Sequence, residues 1–355
     1  MSDAYWNGRR VFVTGHTGFK GAWLSLWLTR LGAHVTGFSL APPTEPNLFS
    51  LARLPERMTS LSGDIRHRTT LEEALSEAAP EIVFHLAAQS LVRASYAQPT
   101  ETFDTNVMGT VNLLEACRSS KRVKAVIVVT SDKCYEESPE GKAHTEDDPL
   151  GGYDPYAASK ACAEIVTGSY RRAYFSDSSG PRVASVRAGN VIGGGDWAAE
   201  RLIPDLVRAF LDGRPAVIRH PHATRPWQHV LDPLNGYLIL AARLATEGAA
   251  FAKAWNFGPS VIDARPVAEI VDRFVQVWGP GAGWRTDTAQ QQREAPMLSI
   301  DASRARAALG WRCTLGIDDA LSWTAEWYRG WAEGTSADRL CDLQIERFMR
   351  LRGPL

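Results

Sequence analysis

Cysteine is scarce in this chain, and net charge is nearly absent. Its 355 residues hold five cysteines, Cys117, Cys134, Cys162, Cys313 and Cys341, with no Cys-x-x-Cys pair and no Cys/His ligand spacing. An odd, scattered set argues against a disulfide framework and a zinc module, so reduced thiols and no metal are expected. Basic and acidic residues number 39 and 40, a net charge of -1, which disfavours nucleic acid and anionic membranes as partners. No apolar run reaches the roughly 18 residues of a membrane span, and the first residues lack a signal-peptide pattern. The cytoplasm is the expected compartment. Internal repeats and low-complexity segments are also missing. What is present is apolar mass, 45% of residues, enough for a large core in two lobes.

Short β-branched runs alternate with helical patterns. The runs are Val11 to Thr14, His34 to Phe38, Ile82 to Leu86, Ala125 to Thr130 and Val183 to Arg187; the helical stretches are Ala22 to Leu31, Leu71 to Glu77, Glu101 to Ser119 and Tyr156 to Tyr174. That alternation predicts an α/β, Rossmann-like, doubly wound parallel sheet with ligands at the carboxyl ends of its strands. Residues 1-188 are expected to form the nucleotide-binding domain, with a return segment around 225-260, and 189-355 a smaller substrate lobe.

Between the first run and the first helix lies Gly15-His16-Thr17-Gly18-Phe19-Lys20-Gly21. Gly15 permits a tight turn, Gly18 lets backbone approach a pyrophosphate, and Gly21 allows close packing of helix on strand. The helix N-terminus attracts the anion. The second run should end in an acid for a ribose hydroxyl, but the chain offers Gly37-Phe38-Ser39-Leu40, so Ser39 takes that place with a weaker hydrogen bond.

Tyr156-Ala-Ala-Ser-Lys160 puts a phenol and an ammonium one helical turn apart. A cation near a tyrosine lowers its pKa and suits it to exchange a proton with a substrate hydroxyl. Ser131-Asp132-Lys133 follows the fourth run, where a parallel sheet would present it to the same ligand.

Together with Asp64-Ile65, His85-Leu86-Ala87-Ala88 and Asn106-x-x-Gly109-Thr110, these segments stand in the order of the extended short-chain dehydrogenase/reductases, which the chain resembles over nearly its whole length. The resemblance implies NAD as cofactor, held by Gly15, Thr17, Gly18, Phe19, Gly21, Ser39, Asp64, Ile65, Leu86, Ala87, Ala88, Thr130, Tyr156 and Lys160. Tyr156 would be the acid/base, and Thr130 or Ser131 the third hydroxyl.

Within that family Asp132 resembles the acid of sugar-nucleotide 4,6-dehydratases, which epimerases generally lack. Asp132-Lys133 in place of Asp-Glu is similar to the group that acts on CDP-glucose. The resemblance then implies hydride removal at C4, loss of the C5 proton to Lys133, protonation of the leaving C6 hydroxyl by Asp132, and hydride return to C6. Lys133 could instead orient the keto intermediate. By the same resemblance Asn190, Arg201 and Arg225 bind the sugar nucleotide, Gln89 and Arg93 lie near the sugar, and Arg293 belongs to a late substrate loop. Trp197 stacks on the base or anchors packing. A homodimer or dimer of dimers is implied, although the amphipathic stretches 101-119 and 156-174 would also suit a monomer core.

Overall fold

All five expected strands pair in parallel, because runs apolar on both faces are stable only when covered on both faces. The computed structural model describes residues 3-137, 141-176, 180-260, 264-289 and 297-353. Strands β1 (Arg10–Thr14), β2 (His34–Ser39), β3 (Thr59–Ser62), β4 (Ile82–His85), β5 (Ala125–Val129) and β6 (Arg182–Ala188) come first. The shorter β7 (Val191–Ile192), β8 (Ala216–Ile218), β9 (Thr224–Arg225) and β10 (Gln228–His229) follow, and β11 (Ala254–Phe257) returns to the main sheet. The seven-stranded order is β11-β6-β5-β4-β1-β2-β3. Strand order reverses between β1 and β4, and a crevice opens there above the carboxyl ends.

Helices α1 (Phe19–Arg30), α2 (Leu48–Leu51), α3 (Arg68–Ala78), α4 (Val92–Ala97), α5 (Pro99–Phe103), α6 (Gly109–Ser119) and α7 (Pro155–Ala173) belong to the first half. They are followed by α8 (Leu202–Leu211), α9 (Leu231–Glu247), α10 (Val267–Trp278), α11 (Ser303–Leu309), α12 (Ile317–Ala332) and α13 (Ala337–Arg352). The single helix expected over 101-119 is instead α5, a π-helical turn at Asp104–Met108, and α6. The wide turn falls just before Gly109, whose missing Cβ would lie 2.4 Å from Ile65 Cδ1.

Two strands of the seven-stranded sheet escaped the sequence reading. β3 is a polar edge strand, exposed along most of its length, so hydrophobic patterning does not mark it. β11 is separated from its partner β6 by more than sixty residues and is held by their parallel register. Trp6, Trp23, Trp27, Trp255, Trp311, Trp323 and Trp327 are fully buried and fill the larger core between the sheet and the carboxyl-terminal helices. Trp323 and Trp327 thus belong to the core, while Trp331 packs against it half-buried.

Candidate active site

The crevice floor is built by turns at the ends of β1, β4 and β5 and by the first turns of α1 and α7. Gly15 stands at φ +77, and a Cβ there would lie 2.6 Å from Ala87 N; a Cβ on Gly21 would lie 2.1 Å from Gly15 O. Neither position admits a side chain. At Gly18, by contrast, a Cβ would meet only Gly15 O at 3.5 Å, so this face is open to a ligand. Gly18 is also the N-cap of α1 and no side chain caps it, so the first amides of the helix are available to an anion. These features fit a dinucleotide pyrophosphate beside Thr17 and Phe19.

Ser39 lies 2.8 Å from Thr17 Oγ1, which donates to Leu40 O at 3.0 Å. Ser39 therefore donates to Thr17 and keeps its lone pairs for a hydroxyl partner. Asp64 receives Arg66 at 2.6 Å, and that hydrogen bond holds its carboxyl below the usual range. Ile65 is buried against Gly109. Leu86, Ala87 and Ala88 are half-buried at the end of β4, and Ala87 N donates to Thr14 Oγ1 at 3.2 Å.

Helix α7 begins with Asp154 as N-cap, accepting from Ala157 N at 2.9 Å, and with Pro155 in its first turn. Tyr156 N donates to Ser95 Oγ at 3.1 Å, and Ser159 Oγ accepts from Asn106 Nδ2 at 2.8 Å, so α4 and the π turn fix the start of α7. The Tyr156 hydroxyl faces Ser131, whose side chain favours the phenolate. Ser131 Oγ donates to Asp132 Oδ1 at 3.0 Å and caps the turn by accepting from Lys133 N at 3.2 Å. Asp132 is 3% exposed, and its Oδ2 has no hydrogen-bond partner among the described residues. Lys133 is half-buried beside it.

One electrostatic expectation is corrected. Burial pushes Tyr156 up to about 12 against the opposing effects of Ser131 and of the Arg201 charge. Burial also brings Lys160 down to about 8, and its Nζ donates to Val129 O at 3.3 Å. Thr130 turns away from the crevice: its hydroxyl donates to Glu164 Oε1 at 2.6 Å, which leaves Ser131 as the hydroxyl at Tyr156.

Of the residues expected at the sugar nucleotide, Arg201 reaches the site. It is anchored by Asp196 at 2.9 Å and Ser90 at 3.0 Å, and its charge acts on Tyr156. Arg225 is buried and Asn190 half-buried, and Asn190 O accepts from Gln228 N at 3.0 Å. Gln89 is a correction: its amide donates to Leu91 O and Thr102 Oγ1 and accepts from Leu91 N, so the side chain holds its own turn. Arg93 is paired with Glu200 at 2.8 Å on the rim. Trp197 packs against Tyr328 and Trp331, with ring centroids at 5.2 and 4.8 Å, and is a packing anchor. Arg293 lies outside the described residues.

Two residues of this site were missed. Lys20, treated as a spacer among the glycines, is brought down to about 8 by burial, with Arg201 and Lys160 adding to the effect and Asp132 opposing it. Its Nζ lies 5.9 Å from the Tyr237 ring. The hydroxyl of Tyr237, on α9, is buried without a partner among the described residues and feels the charge of Asp132. A lysine between glycines was the only signal available for either.

Residues 12–324 match the family described as GDP-mannose 4,6 dehydratase. The chain belongs to that family. It is 51% identical over 334 residues, 93% of either chain, to a CDP-glucose 4,6-dehydratase of Salmonella typhimurium. The structure of DesIV, a dTDP-glucose 4,6-dehydratase from Streptomyces venezuelae with NAD and TYD bound, superposes with a TM-score of 0.77 at 27% identity, covering 91% of this chain and 98% of that one. A Thermus thermophilus UDP-glucose 4-epimerase complex with NAD shares the fold, with a TM-score of 0.79 at 24% identity over 90% of this chain and 99% of that one. The Rossmann-like sheet expected of this dehydratase family is therefore the sheet observed. Among the described residues no helix is long and apolar enough to cross a membrane, and no group of three His, Cys, Asp or Glu could hold a metal ion.

Proposed function

We propose that the protein is an NAD-dependent CDP-D-glucose 4,6-dehydratase, a lyase that yields CDP-4-dehydro-6-deoxy-D-glucose without net redox change. The observation that carries this reading is the buried Asp132 carboxyl, with one oxygen unpartnered among the described residues, on the turn that faces Tyr156. Near end-to-end identity to a CDP-glucose enzyme supports the choice of nucleotide.

Gly18, the first amides of α1, Thr17 and Ser39 would hold the dinucleotide, whose nicotinamide would supply reversible hydride transfer between C4 and C6. Tyr156, as the phenolate that the Arg201 charge favours, takes the proton of the C4 hydroxyl. The positive charges of Lys160, Lys20 and Arg201 surround the developing oxyanion. Once C4 is a ketone the C5 proton is acidic; Lys133 removes it and Asp132 protonates the departing C6 oxygen. Arg225 and Asn190 bind the diphosphate, for which a guanidinium fork is suited.

Residues 1-188, with a return through 225-260, serve the cofactor, and 189-355 the sugar nucleotide. The protein works as a homodimer or dimer of dimers, a reading supported by the exposed apolar side chains of Phe103, Met108 and Ile165 on α5, the π turn and α7. Its free cysteines suit the cytoplasm.

The test is incubation with CDP-glucose and NAD, followed by alkali, which reveals a 4-keto-6-deoxy sugar by its absorbance. The expected result is a signal with CDP-glucose well above that with dTDP-glucose or GDP-mannose. A signal only with another nucleotide overturns the CDP assignment, and epimerised product without dehydration overturns the reaction.

A further inference from the structure

The end of β5 and the two residues after it lie against one face of α7. Thr130 Oγ1 donates to Glu164 Oε1 at 2.6 Å, Val129 O accepts from Lys160 Nζ at 3.3 Å, and Ser131 faces Tyr156. Tyr156, Lys160 and Glu164 stand at four-residue spacing, so this face of the helix is fastened at Lys160 and Glu164 and presents Tyr156 to Ser131. The reaction uses the first two.

Glu164 is no ordinary helix residue. It is 5% exposed, and Oε2 accepts from Ser185 Oγ at 2.7 Å and from Arg187 Nη2 at 2.9 Å. Arg187, 3% exposed, also donates to the Tyr135 hydroxyl at 2.7 Å and to Glu146 O at 3.1 Å, and its guanidinium lies 4.8 Å from the Tyr135 ring centroid. A buried ion pair gives little net stability compared with an apolar pair, so its presence behind a catalytic dyad calls for another reason.

We propose that Glu164, held by Arg187, is a positioning residue that fixes Tyr156 and Lys160 against the β5 loop and maintains a negative charge one turn beneath Lys160. Glu164 touches neither sugar nucleotide nor cofactor and acts through Lys160 and Thr130. The groups facing Lys160 are Glu164 on its own helix, Cys134 beyond β5, His85 on β4 and Lys20 on α1. His85 is kept neutral by burial, down to about 3, and Lys20 is itself a cation. Glu164 and Cys134 are the groups that oppose the effect of burial on Lys160, and burial pushes the Cys134 thiol well up, so it carries no charge at neutral pH. The sign follows: removing the Glu164 charge lets Lys160 lose its proton at lower pH.

The inference deepens the dehydratase reading and rests on it for the chemistry alone, so its test begins without a sugar nucleotide. Lysines labelled with 13C at Cε are titrated by NMR in the full-length protein, with Lys160→Arg identifying the Lys160 resonance. Lys160 should titrate near pH 8 in the wild type and about one pH unit or more lower in Glu164→Gln. With CDP-glucose, kcat should fall about tenfold or more with KM unchanged, and the alkaline limb of the pH profile should move with the resonance. Should Glu164→Gln fail to fold with Arg187 left unpaired, Glu164→Gln/Arg187→Met removes both charges, and the Lys160 titration is still expected to move down. An unmoved titration in a folded variant of either kind overturns the proposal. Absence of wild-type turnover with CDP-glucose would sink the dehydratase reading and leave the titration to decide this one.

Discussion

Burial favours the neutral phenol at Tyr156, so the resting hydroxyl gives up its proton only when neighbouring charge makes room for the phenolate. Removing that hydroxyl should stop the cycle at its first step. Tyr156→Phe is expected to slow formation of enzyme-bound NADH by about 10²–10⁴-fold or more, read as absorbance on mixing with CDP-glucose. Asp132→Asn should still form NADH and then stall at elimination, whereas Lys133→Ala should also block exchange of the C5 proton with solvent deuterium. NADH lost equally in Asp132→Asn would refute this division of labour. Tyr156, Asp132 and Lys133 could be singled out beforehand because their chemistry is written in short local motifs. Lys20, Tyr237 and Glu164 could not: a lysine among glycines, a tyrosine in an apolar helix and a glutamate one turn past Lys160 acquire meaning only from what the sheet brings beside them. Gln89 and Trp197 err in the opposite direction, since residue types suited to a ligand are here consumed by a turn and a core.

At the scale of elements, α12 supports the crevice from behind. Trp327 is fully buried against Gly194, where a Cβ would lie 2.0 Å from its ring, and the Tyr328 hydroxyl donates to Asp196 O. Asp196 in turn holds Arg201. Trp327→Ala should therefore cost about 3–5 kcal/mol of stability, seen in urea denaturation, and raise KM for the sugar nucleotide as the Arg201 loop loosens. A stability loss with KM unchanged would show that the loop is held by other contacts. Strands β1, β2, β4, β5 and β6 were readable because each is an apolar or β-branched run between turns. The break between α5 and α6 was not, because the amphipathic pattern runs on through a π turn that inserts one extra residue without altering the polarity of its neighbours.

Across the whole molecule, α13 folds back over α1. Phe348 lies edge-on to Trp27 at 5.5 Å, Arg30 pairs with Glu346 at 3.1 Å, and Arg57 reaches Asp338 and Asp342. The exposed ion pairs add little, so the apolar contact carries the attachment. Deleting residues from Ala337 onward should uncover Trp27 and Trp327, lower the midpoint of thermal unfolding and weaken cofactor binding through α1; an unchanged midpoint would count against this role for α13. The same helix α1 makes a further link. Trp23 Nε1 donates to Gly194 O at 2.9 Å, so α1, proposed to hold the dinucleotide, is hydrogen-bonded to the loop that carries Arg201, proposed to hold the sugar nucleotide. Any displacement of one element on ligand binding is felt by the other through that bond. Thermodynamic reciprocity then fixes the account: whatever factor one ligand changes in the affinity of the other is returned in equal measure.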